Sequence, residues 1–216
     1  MKKQILVAPL NWGLGHAARC IPIIKALITE GFIPIIASDG VALTLLRKEF
    51  PNLLSIELPS YNVTFAKNGK HLKLKLIKDS PKFLKAINAE KQAVESILEH
   101  HYIAGIISDN RLGVRSKKVP SVFITHQLHV LSGSTTWLST KIHQNIIKKF
   151  DACWVPDMEG AINLSGKLGH ATSIDIPTKY IGPVSRFTKT DSNIKNDLMV
   201  LISGPEPQRT FLEETL

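Results

Sequence analysis

The chain opens on an uninterrupted apolar run over residues 5–8, with none of the polar alternation of a half-exposed strand, which predicts a strand buried on both faces of a helix-covered sheet. A small-residue loop carrying Asn11, Trp12, Gly13 and Gly15 follows, and then Ile21, Ile23, Ile24, Leu27 and Ile28 recur at helical spacing up to Gly31, which can cap the helix. The pattern then repeats: residues 33–37 predict a second strand, Leu43, Leu45, Leu46 and Phe50 a second helix, and residues 53–58 a third strand. Strands joined by helix-length connections pair in parallel with right-handed crossovers, so the expected fold is α/β, a Rossmann-like parallel sheet flanked by helices.

Residues 59–69 read as loop. Residues 71–79 alternate like a strand amid helical neighbours and are assigned to helix, with Ser80 and Pro81 as N-cap and first residue of a further helix running to about His100. Residues 103–107 predict a fourth strand that delivers Ser108, Asp109, Asn110 and Arg111 to its carboxyl end, and residues 121–125 a fifth that delivers His126 and Gln127. A helix over 135–150, a strand over 152–155, helix and turn over 162–169 and a strand over 179–182 complete the unit. Ligands of open α/β sheets sit outside the carboxyl ends of the strands, so these polar clusters and loop 11–16 are expected to line one cleft. Residues 183–197 lack apolar periodicity and read as a linker. Residues 198–202 then restart as a buried strand, followed by a Ser203-Gly204-Pro205 loop and a helix from Glu206, so the expected organisation is a domain over 1–182, a linker, and the start of a second domain over 198–216.

Composition narrows the setting. With 216 residues, 44% of them hydrophobic, the chain can bury one full core. Its two cysteines, Cys20 and Cys153, lack a CxxC spacing and read as buried, reduced thiols. No apolar run is long enough to span a bilayer, and the stretch after Met1-Lys-Lys is too short for a signal peptide, so a cytosolic protein is expected. The net charge of +9 is concentrated in residues 67–91, where eight lysines face only Asp79 and Glu90. Leucines and Phe83 interleave with these lysines, which leaves two readings: a solvated face, or an interfacial element meeting anionic lipid at the inner face of a membrane. Nucleic acid is excluded as a partner, because no recognition motif is present and no aromatics are spaced there for base stacking.

The glycine loop carries the chemistry. Gly13 and Gly15 let the backbone approach a ligand at a helix N-terminus, where an anion is favoured. With Ala18 they satisfy the dinucleotide pattern, and Asp39 follows the second strand where a ribose-binding acid would sit, which makes an NAD-dependent oxidoreductase a rival reading. Against it stand the extra Asn11 and Trp12 before the first glycine, His16 facing the ligand, and the restart at residue 198. His16 reads either as a satisfied helix residue or as a base that takes a proton from a hydroxyl. Asp109 reads either as a loop-capping acid or as the carboxylate that accepts Nδ1–H and fixes that imidazole's tautomer. His126 and His129 lie three apart without a nearby carboxylate or cysteine to complete a ligand set, so no metal is assigned.

Two Rossmann-like units, the first opening with strand, Gly-x-Gly-His and helix and the second with strand and Ser-Gly loop, resemble the GT-B glycosyltransferases, especially family 28. The segments beginning at Asn11, Ser108, Ile124, Tyr180 and Ser203 are similar, in order, to those of a bacterial subgroup of that family. The resemblance implies an inverting, metal-independent transfer of a sugar from a nucleotide-diphosphate-sugar, with no other cofactor, to an acceptor hydroxyl that a lipid could carry. It implies acceptor binding by Asn11, Gly13, Gly15, Arg19, Asn110, Arg111, His126 and Gln127, with His16 and Asp109 catalytic. It implies donor contacts from Ser203, Gly204, Gln208 and Arg209 in a second domain scarcely begun, so that these 216 residues alone would not turn over. The non-enzymatic alternative is a stand-alone sugar- or nucleotide-binding domain.

Overall fold

The structure is a computed structural model that describes residues 2–61, 72–170, 174–189, 191, 198, 200–202 and 208–215; the side chains at 72–81, 134 and 208 lie outside that description. The chain divides into two units, Met1–Arg186 and Phe187–Leu216. In the first, strands β1 (Gln4–Pro9), β2 (Ile33–Ser38), β3 (Ser55–Glu57), β4 (Ile103–Asp109), β5 (Ser121–Ile124), β6 (Ala152–Val155) and β7 (Thr178–Tyr180) form one sheet in the order β3-β2-β1-β4-β5-β6-β7. Every pairing is parallel. Helices α1 (Gly15–Thr29), α2 (Gly40–Glu49), α3 (Leu72–His100) and α4 (Thr136–Ile147) connect the strands.

The two-residue period of β1 sorts its side chains onto two cores. Val7 joins Ala17, Ile21 and Ile24 of α1 and Leu43 and Leu46 of α2 on one face. Leu6 and Ala8 join Ile106 of β4 and Val94 and Ile97 of α3 on the other. Both faces of the strand are therefore dry, which is why its sequence shows no polar alternation. A third cluster, with Phe123, Ile147, Phe150 and Cys153, packs β5 and β6 against α4. The shortest strands, β3 and β7, stand at the two edges, where long unpaired strands would invite association. Gly31 closes α1 at φ +81°, the conformation a glycine cap supplies at little cost.

Three expected boundaries move. The helix expected to begin at Ser80-Pro81 instead runs unbroken from Leu72, so Pro81 lies in its interior and costs one ladder hydrogen bond, and among the described side chains Val94 and Ile97 of α3 are buried in the core. The helix expected in 162–169 shortens to a 3₁₀ turn, Gly166–Leu168. In the second unit the strand expected over 198–202 is not formed at its described residues, and Leu198, Val200 and Leu201 are exposed, because a single strand with no sheet to join leaves its backbone groups to water. That unit's helix, α5, spans Gln208–Thr215.

Candidate functional site

Strands β1 and β4 are neighbours in the sheet but not in sequence, so the connections leaving their carboxyl ends diverge and open a crevice between them. The register pairs Pro9 with Asp109, placing the last residue of β4 beside the end of β1. Loop 10–14 then turns α1 back over the same point, and His16, in the first turn of the helix, meets Asp109 from above. The His16 Nδ1 to Asp109 Oδ1 distance is 2.9 Å. Arg19, one turn further along α1, grips the same carboxylate with both arms of its fork, Nε to Oδ2 at 2.9 Å and Nη2 to Oδ1 at 2.5 Å. A carboxylate only accepts, so His16 Nδ1 carries the proton it shares with Asp109, and the approach of Arg19 Nη2 to that nitrogen at 2.9 Å is a contact rather than a second hydrogen bond. In the neutral imidazole with Nδ1 engaged in this way, Nε2 is the nitrogen that can accept a proton.

Asp109 is wholly buried while His16 keeps 16% of its side-chain surface. Burial alone would push the Asp109 carboxyl up, but the His16 hydrogen bond and the Arg19 guanidinium outweigh it and hold the group below its ordinary value. Burial likewise opposes the charge on Arg19, and Asp109 more than offsets it, so the guanidinium sits above its usual range. The Cys20 thiol packs 3.8 Å from the same carboxylate and is pushed well up, first by burial and then by that negative neighbour.

A second buried ionic cluster lies behind the first. Arg111, with no exposed surface, donates Nε to Glu90 Oε1 at 2.7 Å, Nη1 to Asp39 Oδ1 at 2.8 Å and Nη2 to the Pro59 carbonyl at 2.6 Å. Glu90 also accepts from the Tyr61 hydroxyl at 2.6 Å and the Gly113 N–H at 2.8 Å. Asp39 accepts from Ser60 Oγ and from Asn11 Nδ2, and Asn11 Oδ1 in turn takes the Ala42 N–H at 3.2 Å. This cluster ties α3, the β2–α2 turn, loop 58–61 and the β4–β5 connection together.

Between the clusters opens a cleft of about 490 Å³. His16, Asn110, His126, Gln127 and His143 give it polar walls, and Leu10, Trp12, Tyr61, Phe83, Leu112 and Val130 apolar ones. Tyr61 and Phe83 pack with their rings tilted 57° at a centroid distance of 5.1 Å, and Trp12 meets both edge-on, at 6.2 and 5.9 Å. Burial and the nearby Arg19 and His16 hold the His126 imidazole below its ordinary value, and burial takes His143 down to about 4, so both stand neutral at pH 7 as hydrogen-bonding groups. Asn110 holds φ at +59°, an unusual conformation for a residue other than glycine, where the chain turns away from Asp109 into the cleft.

Of the residues singled out from sequence, the structure brings His16, Asp109, Asn110, His126 and Gln127 to one place, and leaves open space where Cβ atoms at Gly13 and Gly15 would project. Three expectations change. Arg111 is sealed in the second cluster with all three guanidinium nitrogens engaged, so it holds the fold and does not reach an acceptor. Asn11 bridges Asp39 to the start of α2, and Arg19 is committed to Asp109, so neither side chain reaches into the cleft. Asp39, the acid a dinucleotide enzyme would offer to ribose, is likewise spent on Arg111, Ser60 and Asn11. Of the expected donor residues, Ser203 and Gly204 lie outside the described residues, as does the Gln208 side chain; Arg209 is exposed on α5. Sequence reasoning missed the aromatic wall and His143. Trp12 was visible as an unusual residue in a glycine loop, but nothing local links it to Tyr61 or Phe83.

No family model matches the sequence, and no curated protein sequence does. Solved structures do. A UDP-glucosyltransferase from Polygonum tinctorium, capable of glucosylating indoxyl and solved with 3,4-dichloroaniline, superposes with a TM-score of 0.56 at 12% identity, over 88% of this chain and 55% of its own. UGT2 of Phytolacca americana with UDP-2-fluoro-glucose and pterostilbene gives 0.52 at 13%, over 85% and 55%, and TcCGT1 with UDP gives 0.53 at 13%, over 91% and 54%. The chain spans about half the length of these structures. At such identities the likeness is one of fold: the chain has the Rossmann-like α/β fold that about half of each of these structures shows.

Proposed function

We propose that this chain is the acceptor-side half of an inverting glycosyltransferase, of the family 28 kind, that moves a sugar from a nucleotide-diphosphate-sugar to an acceptor hydroxyl. The observation that carries the reading is the His16–Asp109 pair, 2.9 Å apart at the β1/β4 crevice and opening on a cleft large enough for an acceptor. Nδ1–H held by Asp109 directs Nε2 to take the acceptor's proton as its oxygen attacks the anomeric carbon; the bond from that carbon to the diphosphate oxygen breaks, and the nucleoside diphosphate leaves. Asp109 then stabilises the imidazolium, and Arg19 keeps Asp109 ionised. Asn110, His126 and Gln127 are placed to hold acceptor hydroxyls, and the wall of Trp12, Tyr61 and Phe83 suits an apolar acceptor body, in keeping with a lipid-linked acceptor used by a cytosolic enzyme at the inner membrane face. Donor binding falls to the second domain, whose start at Ser203, Gly204, Gln208 and Arg209 resembles a diphosphate site.

The test needs a chain that carries both halves of the fold, screened for turnover with uridine, guanosine and thymidine diphosphate sugars. His16→Ala and Asp109→Ala should each lower kcat by about 10²–10⁴, and the double variant should lose less than the product of the two. Undiminished kcat in His16→Ala would remove the imidazole from the mechanism.

A further inference from the structure

Helix α4 is inside out. On its side toward the domain Thr140 and Ile147 are buried and Thr136, Ser139, His143, Gln144 and Ile146 half-buried, so most of that side is polar, while Trp137, Leu138 and Ile142 are exposed, Trp137 with 72% of its surface and Ile142 with 54%. The inward polar groups are occupied: Thr140 Oγ1 accepts the Val130 N–H at 3.0 Å, and Gln144 Nε2 donates to the Leu128 carbonyl at 3.1 Å, so this stripe fastens loop 127–130 along the cleft. The outward apolar groups satisfy nothing in the described fold. An amphipathic helix ordinarily turns its apolar stripe to the core, so an outward one marks a surface that is covered in use.

The charge beside it says by what. Lys141 and Asn145 lie exposed among these apolar groups, Lys148 and Lys149 lie exposed at the end of the helix, and the helix itself holds no Asp or Glu. Lys141 sits over the Trp137 ring at 5.3 Å, and Asp175 meets Lys148 at 2.5 Å. Tryptophan, leucine and isoleucine flanked by lysines are the composition of a helix lying in the headgroup region of an anionic bilayer. A second copy of the chain would set these same lysines against each other, and a nucleic acid would leave the leucine and isoleucine unmatched. We propose that α4, led by Leu131 and continued by Lys148 and Lys149, is a docking surface for an anionic membrane. His143 on the inner side of α4 and Val130 beside it line the cleft, so the helix that seats on the bilayer also forms part of the cleft wall. The inference stands without the transferase reading, since binding is measured with no turnover.

The experiment is vesicle co-sedimentation of the 216-residue chain with phosphatidylcholine alone and with phosphatidylcholine containing one third phosphatidylglycerol, at low and high salt. Binding should appear with the anionic vesicles and fade with salt. Trp137→Ser/Leu138→Ser/Ile142→Ser should weaken it about tenfold or more, and Lys141→Glu/Lys149→Glu by a similar factor, with Tm unchanged because every site is exposed. Brominated lipid should quench the tryptophan emission of the wild type and do so much less in Trp137→Phe. The idea is overturned by no binding to anionic vesicles, by equal binding of the α4 variants, by loss of binding only in Lys82→Glu/Lys85→Glu within the lysine-rich stretch, or by a concentration-dependent dimer that the triple serine variant abolishes.

Discussion

Replacing Arg111 by methionine tests whether the second ionic cluster holds the fold. The change keeps much of the volume but removes the cation that bridges Glu90 and Asp39, both of which it contacts at under 3 Å with no exposed surface of its own. Glu90 would retain Tyr61 and Gly113, and Asp39 would retain Asn11 and Ser60, so neither carboxylate loses every partner. Breaking a buried pair by removing one side costs about 3–5 kcal/mol. Against a total stability on the order of 5–15 kcal/mol that is a large fraction, and at about 2–4 °C per kcal/mol for a chain of this size it corresponds to a fall in Tm of roughly 6–20 °C at pH 7. The pH dependence is the sharper readout. Burial already lifts Glu90 above its ordinary value despite Arg111, Tyr61 and Gly113, and losing the cation lifts it further. An acid raised in the folded state binds its proton more readily there than in the unfolded chain, so the penalty is greatest above the folded value and shrinks as pH falls through it toward 4.5. Urea unfolding of wild type and Arg111→Met between pH 7.5 and 5 should show the two curves converge, and Arg111→Met/Glu90→Gln should recover part of the loss at pH 7. A cost below about 1 kcal/mol at pH 7, within the range of an exposed pair, would refute the buried network.

Asp109→Asn should act in the opposite pH window: the depressed Asp109 carboxyl contributes stability that is present above 3.8 and lost as pH falls through its folded value, so the variant should be less stable at neutral pH and its Tm should fall less steeply in acid. Parallel Tm-against-pH curves for the two proteins would count against that account. Gly113→Ala should destabilise by about 1–3 kcal/mol in chemical denaturation, because its Cβ would overlap the Ile87 backbone carbonyl, which cannot yield as a flexible side chain could. Gly13→Ala, where nothing lies within 4 Å, should cost only the strain of its φ of +77°, about 1 kcal/mol.

The parallel sheet was legible in the chain because it is written locally. Apolar runs such as Ile5–Ala8 and Ile103–Ile107 admit only strands covered on both faces, and helix-length spacers between them admit only crossovers. The pairing of His16 with Asp109 could also be expected, because a residue at a strand's carboxyl end and one in the first turn of a helix are both delivered to the same edge of the sheet. What local pattern could not decide is which polar groups are spent on the fold. Arg111 and Asp109 stand two residues apart, yet the turn at Asn110 sends one into a sealed cluster and leaves the other at the cleft. That outcome depends on Glu90, 21 residues earlier, and Asp39, 72 earlier. The same holds for Tyr61, Phe83 and α4: their periodicity says that each has a buried side, but whether Trp137 turns inward or out is set by the hydrogen bonds that Thr140 and Gln144 make to loop 127–130, and those exist only once the sheet has brought the loop and the helix together.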